Sequence, residues 1–564
     1  RIVRDMAINY YTFPSTCMWF LSVTHFGADV TSENSTVGAV REMEHIKNSG
    51  FLKYSPVAVR LVPDNYEQNN QQGWWDDEHW QNIGRKYRCV VDYHYKKPYE
   101  TTAKWAGKIQ ELGGIPLTYF QPGIRSEDYA KAFPGHMLYD RSQKFVRENK
   151  KVVGDPHVLM GIPGIPDLLN PNEWIDGYGK LYAEAYDYTD PDFLTHWKKV
   201  NHNLNDGGVR GVFYDYPTRV FAQRGGLHNR YSTALEAYRN VFRIPHEILG
   251  ANAYLQERLG IGSDATLEFV NSVRTEGDTN IITTRILNKA ANRWYKNRRL
   301  TNYDMDGKAL VEAGHGENRY PISSVQRKSI LTLSYAVSGR LLLTESFSKF
   351  SEDVLYDLSR VYPFHSTSLS ARPLHAFTDD MPILDFPISE DWHQVILFND
   401  KETDQEFKVP LSGYTAFGAL GLDEKESYYL YDFWNNKFRG KIGGDSLLEQ
   451  IVAPGEARMI SVHKVEDVPQ WISTDRHILQ GYVDMPDKPV WNSATKTLSG
   501  KSSLIEGESY SITIALNTYY PVSANADDAE LIIIPRKDNP ALVDLKISTQ
   551  ENKDINWRIS FEKN

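Results

Sequence analysis

Cysteine is almost absent from this chain: Cys17 and Cys89 are the only two in 564 residues. Neither belongs to a C-x-x-C pair or a Cys/His cluster, which argues against a disulfide-stapled fold and a structural zinc site. No stretch approaches the roughly 18 consecutive apolar residues that a membrane helix requires. Basic side chains are the minority charge, 63 Lys and Arg against 73 Asp and Glu, for a net −10. A surface of that sign repels phosphate backbones, so nucleic acid is not an expected partner. The chain also lacks a G-x-S-x-G elbow, a P-loop and an H-E-x-x-H pair. No ligand spacing specifies a metal, so neither a metal nor a cofactor is expected. What is plentiful is aromatic: 13 Trp, 34 Tyr and 23 Phe, 12% of the residues. Aromatics fill cores, and they also offer flat faces on which sugar rings stack. The opening RIVRDMAINYYTF has no initiator Met and no basic-then-apolar signal. It reads as a processed start, and the expectation is an exported protein, periplasmic or extracellular.

Two textures meet near residue 375. Before it, short apolar runs alternate with helical patterns such as SENSTVGAVREMEHIKNSG and YETTAKWAGKIQELGG, each closed by glycine. Eight candidate strands lie at 17–23, 57–63, 115–121, 209–217, 248–256, 267–274, 299–306 and 339–346. Eight strands with interleaved helices predict an α/β fold, a (β/α)8 TIM barrel over residues 1–376. A doubly wound open sheet is the rival, and the absence of a Gly-rich loop after the first strand weakens it. Beyond the barrel, strands follow strands. The expected domains there are two antiparallel β-sandwiches, 377–466 and 467–564.

In such a barrel, catalytic groups sit at the C-terminal ends of strands. The strand ends here carry Asp64 after the second strand, Asp215 after the fourth, Arg274 and Asp278 after the sixth, and Asp304 and Asp306 after the seventh. Any one of these carboxylates alone is more often a helix cap or a loop brace. Carboxylates gathered on four strand ends, with one arginine, are what glycoside cleavage needs. The WWDDEHW segment at 74–80 reads equally as a sugar-stacking loop or a packed one.

These pieces, in this order, resemble the clan D retaining α-galactosidases, glycoside hydrolase families 27 and 36, over most of residues 15–465. MWFLSVTHFGADVTSENS resembles that group's first strand and loop, and EMEHIKNSGFLKYSPVAVRLVPDNY its next helix and Asp-ended strand. IPLTYF is similar to the third strand, DYTDPDFLTHWKKV with GVRGVFYDY to the segment leading to the nucleophile, and VNSVRTEGDT to the Arg-x-x-x-Asp acid/base loop. The resemblance implies Asp215 as nucleophile, Asp278 as acid/base and Arg274 as a substrate clamp. It also implies Trp19 and Tyr119 as the apolar floor, with Asp64 and Asp304 at the sugar.

The departures from the family bear on the substrate. The paired Asp that grips the distal hydroxyls is Pro63-Asp64 here, and the Lys two residues before the nucleophile is Phe213. In the fifth strand, ANAYLQE leaves Asn252 or Gln256 as the replacement for the family's polar residue. A site that has lost a Lys and an Asp implies a changed glycone face. The expected reaction is exo-acting cleavage of a terminal α-galactoside-like sugar from a polysaccharide or glycoconjugate by double displacement. The alternatives are another sugar, such as a β-L-arabinopyranoside or an α-N-acetylgalactosaminide, or a catalytically silent carbohydrate-binding barrel. If the enzyme retains configuration, the two carboxyl groups stand about 5–5.5 Å apart.

Overall fold

The computed structural model describes residues 13–25, 34–62, 95–120, 122, 136–139, 144–146, 151–153, 183–215, 217, 220, 227–229, 231–258, 264–275, 280–314, 318–374 and 383–563. Asp64, Trp74, Trp75 and Asp278 lie outside the described residues.

Eight parallel strands build the first part: β1 Ser15–Cys17, β2 Ala58–Arg60, β3 Ile115–Phe120, β4 Gly211–Tyr214, β5 Tyr254–Glu257, β6 Ser272–Arg274, β7 Asn302–Asp304 and β8 Leu342–Leu343. Their order is β7-β6-β5-β4-β3-β2-β1-β8, and a two-residue strand at Gly307–Lys308 pairs with the far side of β8. That strand follows β7 after Met305 and Asp306 alone, so the two edges of the sheet meet and the barrel closes. Closure removes exposed edges and fixes which ends of the strands share a rim.

The helices begin where the sequence supplies caps. α1 is Met18–His25 and α2 Thr36–Asn48, whose N-cap Ser35 accepts from the Gly38 amide at 3.1 Å. α3, Thr102–Glu111, is capped by Thr101, and α4, Pro191–Asp206, by Asp190 with proline in its first turn. α5 is Ala234–Leu249, α6 Thr284–Ala291, α7 Ser324–Val337 with a Ser323/Gln326 capping box, and α8 Glu352–Ser359. Asp or Thr caps satisfy amide groups that a helix start leaves open, worth about 1 kcal/mol each.

Alternation along the strands divides the barrel into two cores. Phe120, Val212, Tyr214 and Leu255 face the helices, where they join Trp105 and Trp197 in one apolar cluster. Leu117, Tyr119, Phe213 and Tyr254 face the lumen with Cys17, Ala58 and Leu342.

After the barrel come two antiparallel sandwiches. One has a six-stranded sheet ordered 372–373, 383–389, 392–398, 457–464, 427–432, 437–443, with a separate pair at 405–410 and 447–452. The other stacks two four-stranded sheets drawn from residues 470–563. They are not loosely attached. Tyr335 of α7 packs edge-on against Phe364 and His477, and Arg476 donates to the carbonyls of Ser359 at 2.8 Å and Tyr362 at 3.0 Å. At the other end, Asn552 donates to the Lys53 carbonyl at 3.0 Å.

One predicted strand changes its nature. MWFLSV was expected to continue the first strand, yet β1 stops at Cys17 and Met18–His25 is helical. A short apolar run fits either state, and here the chain turns onto the barrel rim instead of running on through it.

Candidate active site

The lumen-facing positions at the C-terminal ends of β3 to β7 converge on Asp215. Tyr119 donates its hydroxyl to Asp215 Oδ2 at 2.8 Å, and Arg258 Nη1 stands 3.6 Å from the same oxygen. Asp215 is 6% exposed and Arg258 4%, so this pair is shielded from bulk solvent. Arg258 also donates from Nη2 to Asp306 Oδ1 at 3.0 Å, and Arg274 Nη1 donates to Asp306 Oδ2 at 2.8 Å. The result is a chain of alternating charges, Asp215, Arg258, Asp306, Arg274, each link nearly dry. In low dielectric such links are strong and costly to break.

Asp306 bridges the two arginines from an unusual backbone. Its φ is 64°, the left-handed region, and its amide donates to Asp304 Oδ1 at 2.6 Å. Aspartate tolerates that conformation better than most side chains because its neighbour's carboxylate closes a local turn. The turn lets β7 end and the short Gly307–Lys308 strand resume beside β8.

The structure brings most of the described predicted residues together. Tyr119, Asp215, Arg274 and Asp304 all project from strand ends into the lumen. Trp19 lies on α1 at the rim, half-buried against the lumen cluster and 5.1 Å from Phe20. Among the described residues, Arg274 pairs with Asp306, and Arg258 stands beside Asp215. Asp304 keeps Oδ2 4.0 Å from Arg340 Nη1.

Asn252 is not in the site. It is exposed in the turn before β5, at the opposite end of that strand from the rim. Of the two alternatives at the fifth strand, Gln256 faces the lumen: it is 1% exposed, and neither of its amide atoms has a hydrogen-bond partner. Its neighbour Glu257 points outward to Tyr238 and Thr266, and burial pushes its carboxyl above the usual range.

Arg258 is not among the strand-end residues read from the sequence, because the expected fifth strand, 248–256, stops two residues short of it. Its signal was available: with Tyr254 and Gln256 inward, period-two alternation puts Arg258 inward at the rim.

A closed eight-stranded barrel followed by β-sandwiches is the fold of the clan D glycoside hydrolases of family 27. Solved structures of that fold overlay the chain at low identity. A family 27 β-L-arabinopyranosidase from Geobacillus stearothermophilus is 15% identical with a TM-score of 0.53, covering 82% of this chain and 98% of its own. α-Galactosidase I from Mortierella vinacea is 12% identical with a TM-score of 0.51, covering 81% and 98%. An isomalto-dextranase from Arthrobacter globiformis T6, complexed with panose, is 13% identical with a TM-score of 0.51 and covers 100% of this chain and 97% of its own. No protein-family model matches the sequence, and no curated protein matches it either.

Proposed function

We propose that the protein is a retaining glycoside hydrolase that removes a terminal α-galactoside-like sugar by double displacement. The observation that carries this reading is Asp215: a buried carboxylate at the C-terminal end of β4, oriented by the Tyr119 hydroxyl and the Arg258 guanidinium. In the first step Asp215 attacks the anomeric carbon while Asp278 protonates the departing oxygen. In the second, Asp278 takes a proton from water, which displaces Asp215 and releases the sugar. Tyr119 and Arg258 hold the carboxylate through Oδ2, so little reorganisation is needed when the ester forms. Trp19 at the rim supplies an apolar face for the sugar ring.

The fold supports the reaction class, since the barrel neighbours include a β-L-arabinopyranosidase and an α-galactosidase. The glycone follows the altered lumen: Phe213 is fully buried where the family carries a lysine. A panel of 4-nitrophenyl glycosides tests the proposal: α-galactoside, α-N-acetylgalactosaminide, β-L-arabinopyranoside and their substituted forms. Turnover of at least one by the native protein, lost in Asp215→Asn, is the expected result. An Asp215→Asn variant as active as the native protein ends the assignment. Sugar binding without turnover by the native protein replaces the hydrolase with a silent carbohydrate-binding barrel.

A further inference from the structure

Among the described residues, four arginines enter the barrel lumen, and three of them face a carboxylate. Arg258 lies between Asp215 and Asp306, Arg274 pairs with Asp306, and Arg340 Nη1 is 4.0 Å from Asp304 Oδ2. Arg60 is the exception among the described residues. It is 1% exposed, its Nη2 donates to Cys17 Sγ at 2.7 Å, and its Nε and Nη1 have no hydrogen-bond partner. A thiol sulfur is a weak acceptor and brings no compensating charge in its neutral form. Burying a guanidinium without a counter-charge is unfavourable, because the desolvation of the ion is then left unrepaid. Such an expense is characteristic of functional positions, where a local rule is broken for a reason outside the fold.

The position of Arg60 says what the reason is. Its guanidinium carbon lies 4.2 Å over the Phe213 ring and 6.0 Å from the ring of Tyr119, whose hydroxyl holds Asp215. Phe213 is two residues before Asp215 on the same strand, one inward step or roughly 7 Å deeper in the lumen. Gln256 stands opposite Phe213 in the β4–β5 ladder, with its buried amide unpartnered. Arg60 Nε, Arg60 Nη1 and Gln256 Nε2 are therefore unsatisfied donors bordering one phenyl ring, directly beneath the carboxylate. A neutral sugar hydroxyl supplies acceptors to these donors but leaves the guanidinium charge uncompensated. An anionic oxygen group does both, through charge-assisted hydrogen bonds about twice as strong as neutral ones.

We propose that Arg60 is the specificity-determining residue of the glycone pocket, and that the accepted sugar carries an anionic oxygen group, a uronic carboxylate or a sulfate ester, received by Arg60 with Gln256. The inference rests on reading Asp215 as the nucleophile of a glycoside hydrolase, and its test separates the two.

The native protein, Arg60→Met and Arg60→Lys are compared on 4-nitrophenyl α-galactopyranoside, its uronate and its 6-sulfate, with the gluco-configured trio alongside. Free galactose, galacturonate and galactose 6-sulfate, with their gluco counterparts, are titrated calorimetrically into Asp215→Asn, with and without Arg60→Met. The expected result is a kcat/KM at least about 10²-fold higher for one anionic series than for its neutral parent, a ratio within reach of a site built to match a polar group. Arg60→Met should collapse that ratio to within about tenfold, and Arg60→Lys, which keeps the charge but loses the fork, should retain part of it. Which anionic arm responds distinguishes uronate from sulfate. If nothing is hydrolysed, yet an anionic sugar binds Asp215→Asn more tightly than its neutral parent and Arg60→Met removes the difference, the inference stands and the hydrolase reading fails. Neutral sugars handled as well as anionic ones, losses in Arg60→Met that are equal across each trio, or no anionic preference in either assay overturn it.

Discussion

The inner face of the barrel and the inner face of the last sandwich are both nearly dry, and they are filled with different chemistry. In the sandwich, alternate residues of three long strands turn Tyr510, Ile512, Ile514, Val543, Leu545, Ile547, Ile555, Trp557, Ile559 and Phe561 into one apolar layer. The Trp557 indole in that layer finds the Ser502 hydroxyl at 3.0 Å. Each such side chain contributes about 1.5–3 kcal/mol by leaving water. In the lumen, the same period-two geometry points Arg60, Tyr119, Asp215, Gln256, Arg258, Arg274 and Asp304 at one another. Those groups gain far less by burial, and the Gln256 amide has no hydrogen-bond partner. One interior is filled with hydrocarbon, which stabilises the fold, and the other with partly satisfied charge, on which the proposed function rests.

The largest expected effect breaks the lumen at its centre. Asp215→Asn preserves shape and removes the proposed nucleophile, and turnover should fall on the order of 10⁴-fold or more if that reading holds. Steady-state kinetics on whichever aryl glycoside is cleaved measures it, with urea unfolding as the control for folding.

Asp306→Asn comes next. It leaves Arg258 and Arg274 without the carboxylate they share, so both activity and stability should suffer. The losses expected are about 10²–10³-fold in kcat and about 3–5 kcal/mol in unfolding free energy. A stable variant with normal kcat would mean that the charge chain is incidental to Asp215.

Leu545→Ala tests the other interior. Emptying a fully buried site in the sandwich should cost about 2–5 kcal/mol of stability, while kcat/KM measured well below the unfolding transition stays at the native value. A fall in kcat/KM under those conditions would show that the sandwich reaches the site, against the division drawn above.

The smallest effect concerns acid. His463, buried against Trp392 and Trp471, is pushed down to about 3 by desolvation. In the unfolded chain it takes up a proton near pH 6.5, which the folded protein resists. Stability present above pH 6.5 is therefore lost as pH falls from 6.5 toward about 3, by about 1.4 kcal/mol per pH unit for this group. His463→Phe should flatten the acid side of the stability curve by that slope. An unchanged difference between pH 7 and pH 5 would assign the acid sensitivity to other groups.

Much of this division was legible beforehand. Alternating helix and strand patterns overlap all eight barrel strands, because side-chain caps at Ser35, Thr101, Asp190 and Thr233 mark where intervening helices begin. The first strand was overextended because MWFLSV is apolar throughout and carries no periodicity to separate helix from strand. Asp215 and Arg274 stand out in the sequence because a polar group after an apolar run marks a barrel rim, whereas Tyr119 rests on the family resemblance alone. Asn252 was placed wrongly because the strand's starting residue was uncertain, and a shift of a few positions moves a side chain from the lumen to the opposite end of the barrel. The pairing of Arg258 with both Asp215 and Asp306 was not legible at all, since it joins residues 43 and 48 positions apart that the lateral pairing of β4 through β7 brings together.

The central claim, that Asp215 is the attacking group, is tested most directly by restoring what a variant lacks. Asp215→Gly should cleave an activated α-glycoside very slowly, and sodium azide should raise the rate in proportion to its concentration by entering the vacated space. The product should be the β-glycosyl azide, inverted at the anomeric carbon because azide attacks from the face Asp215 occupied. An Asp215→Gly protein that azide does not accelerate, or one that turns over as fast as the native enzyme without it, would contradict the assignment.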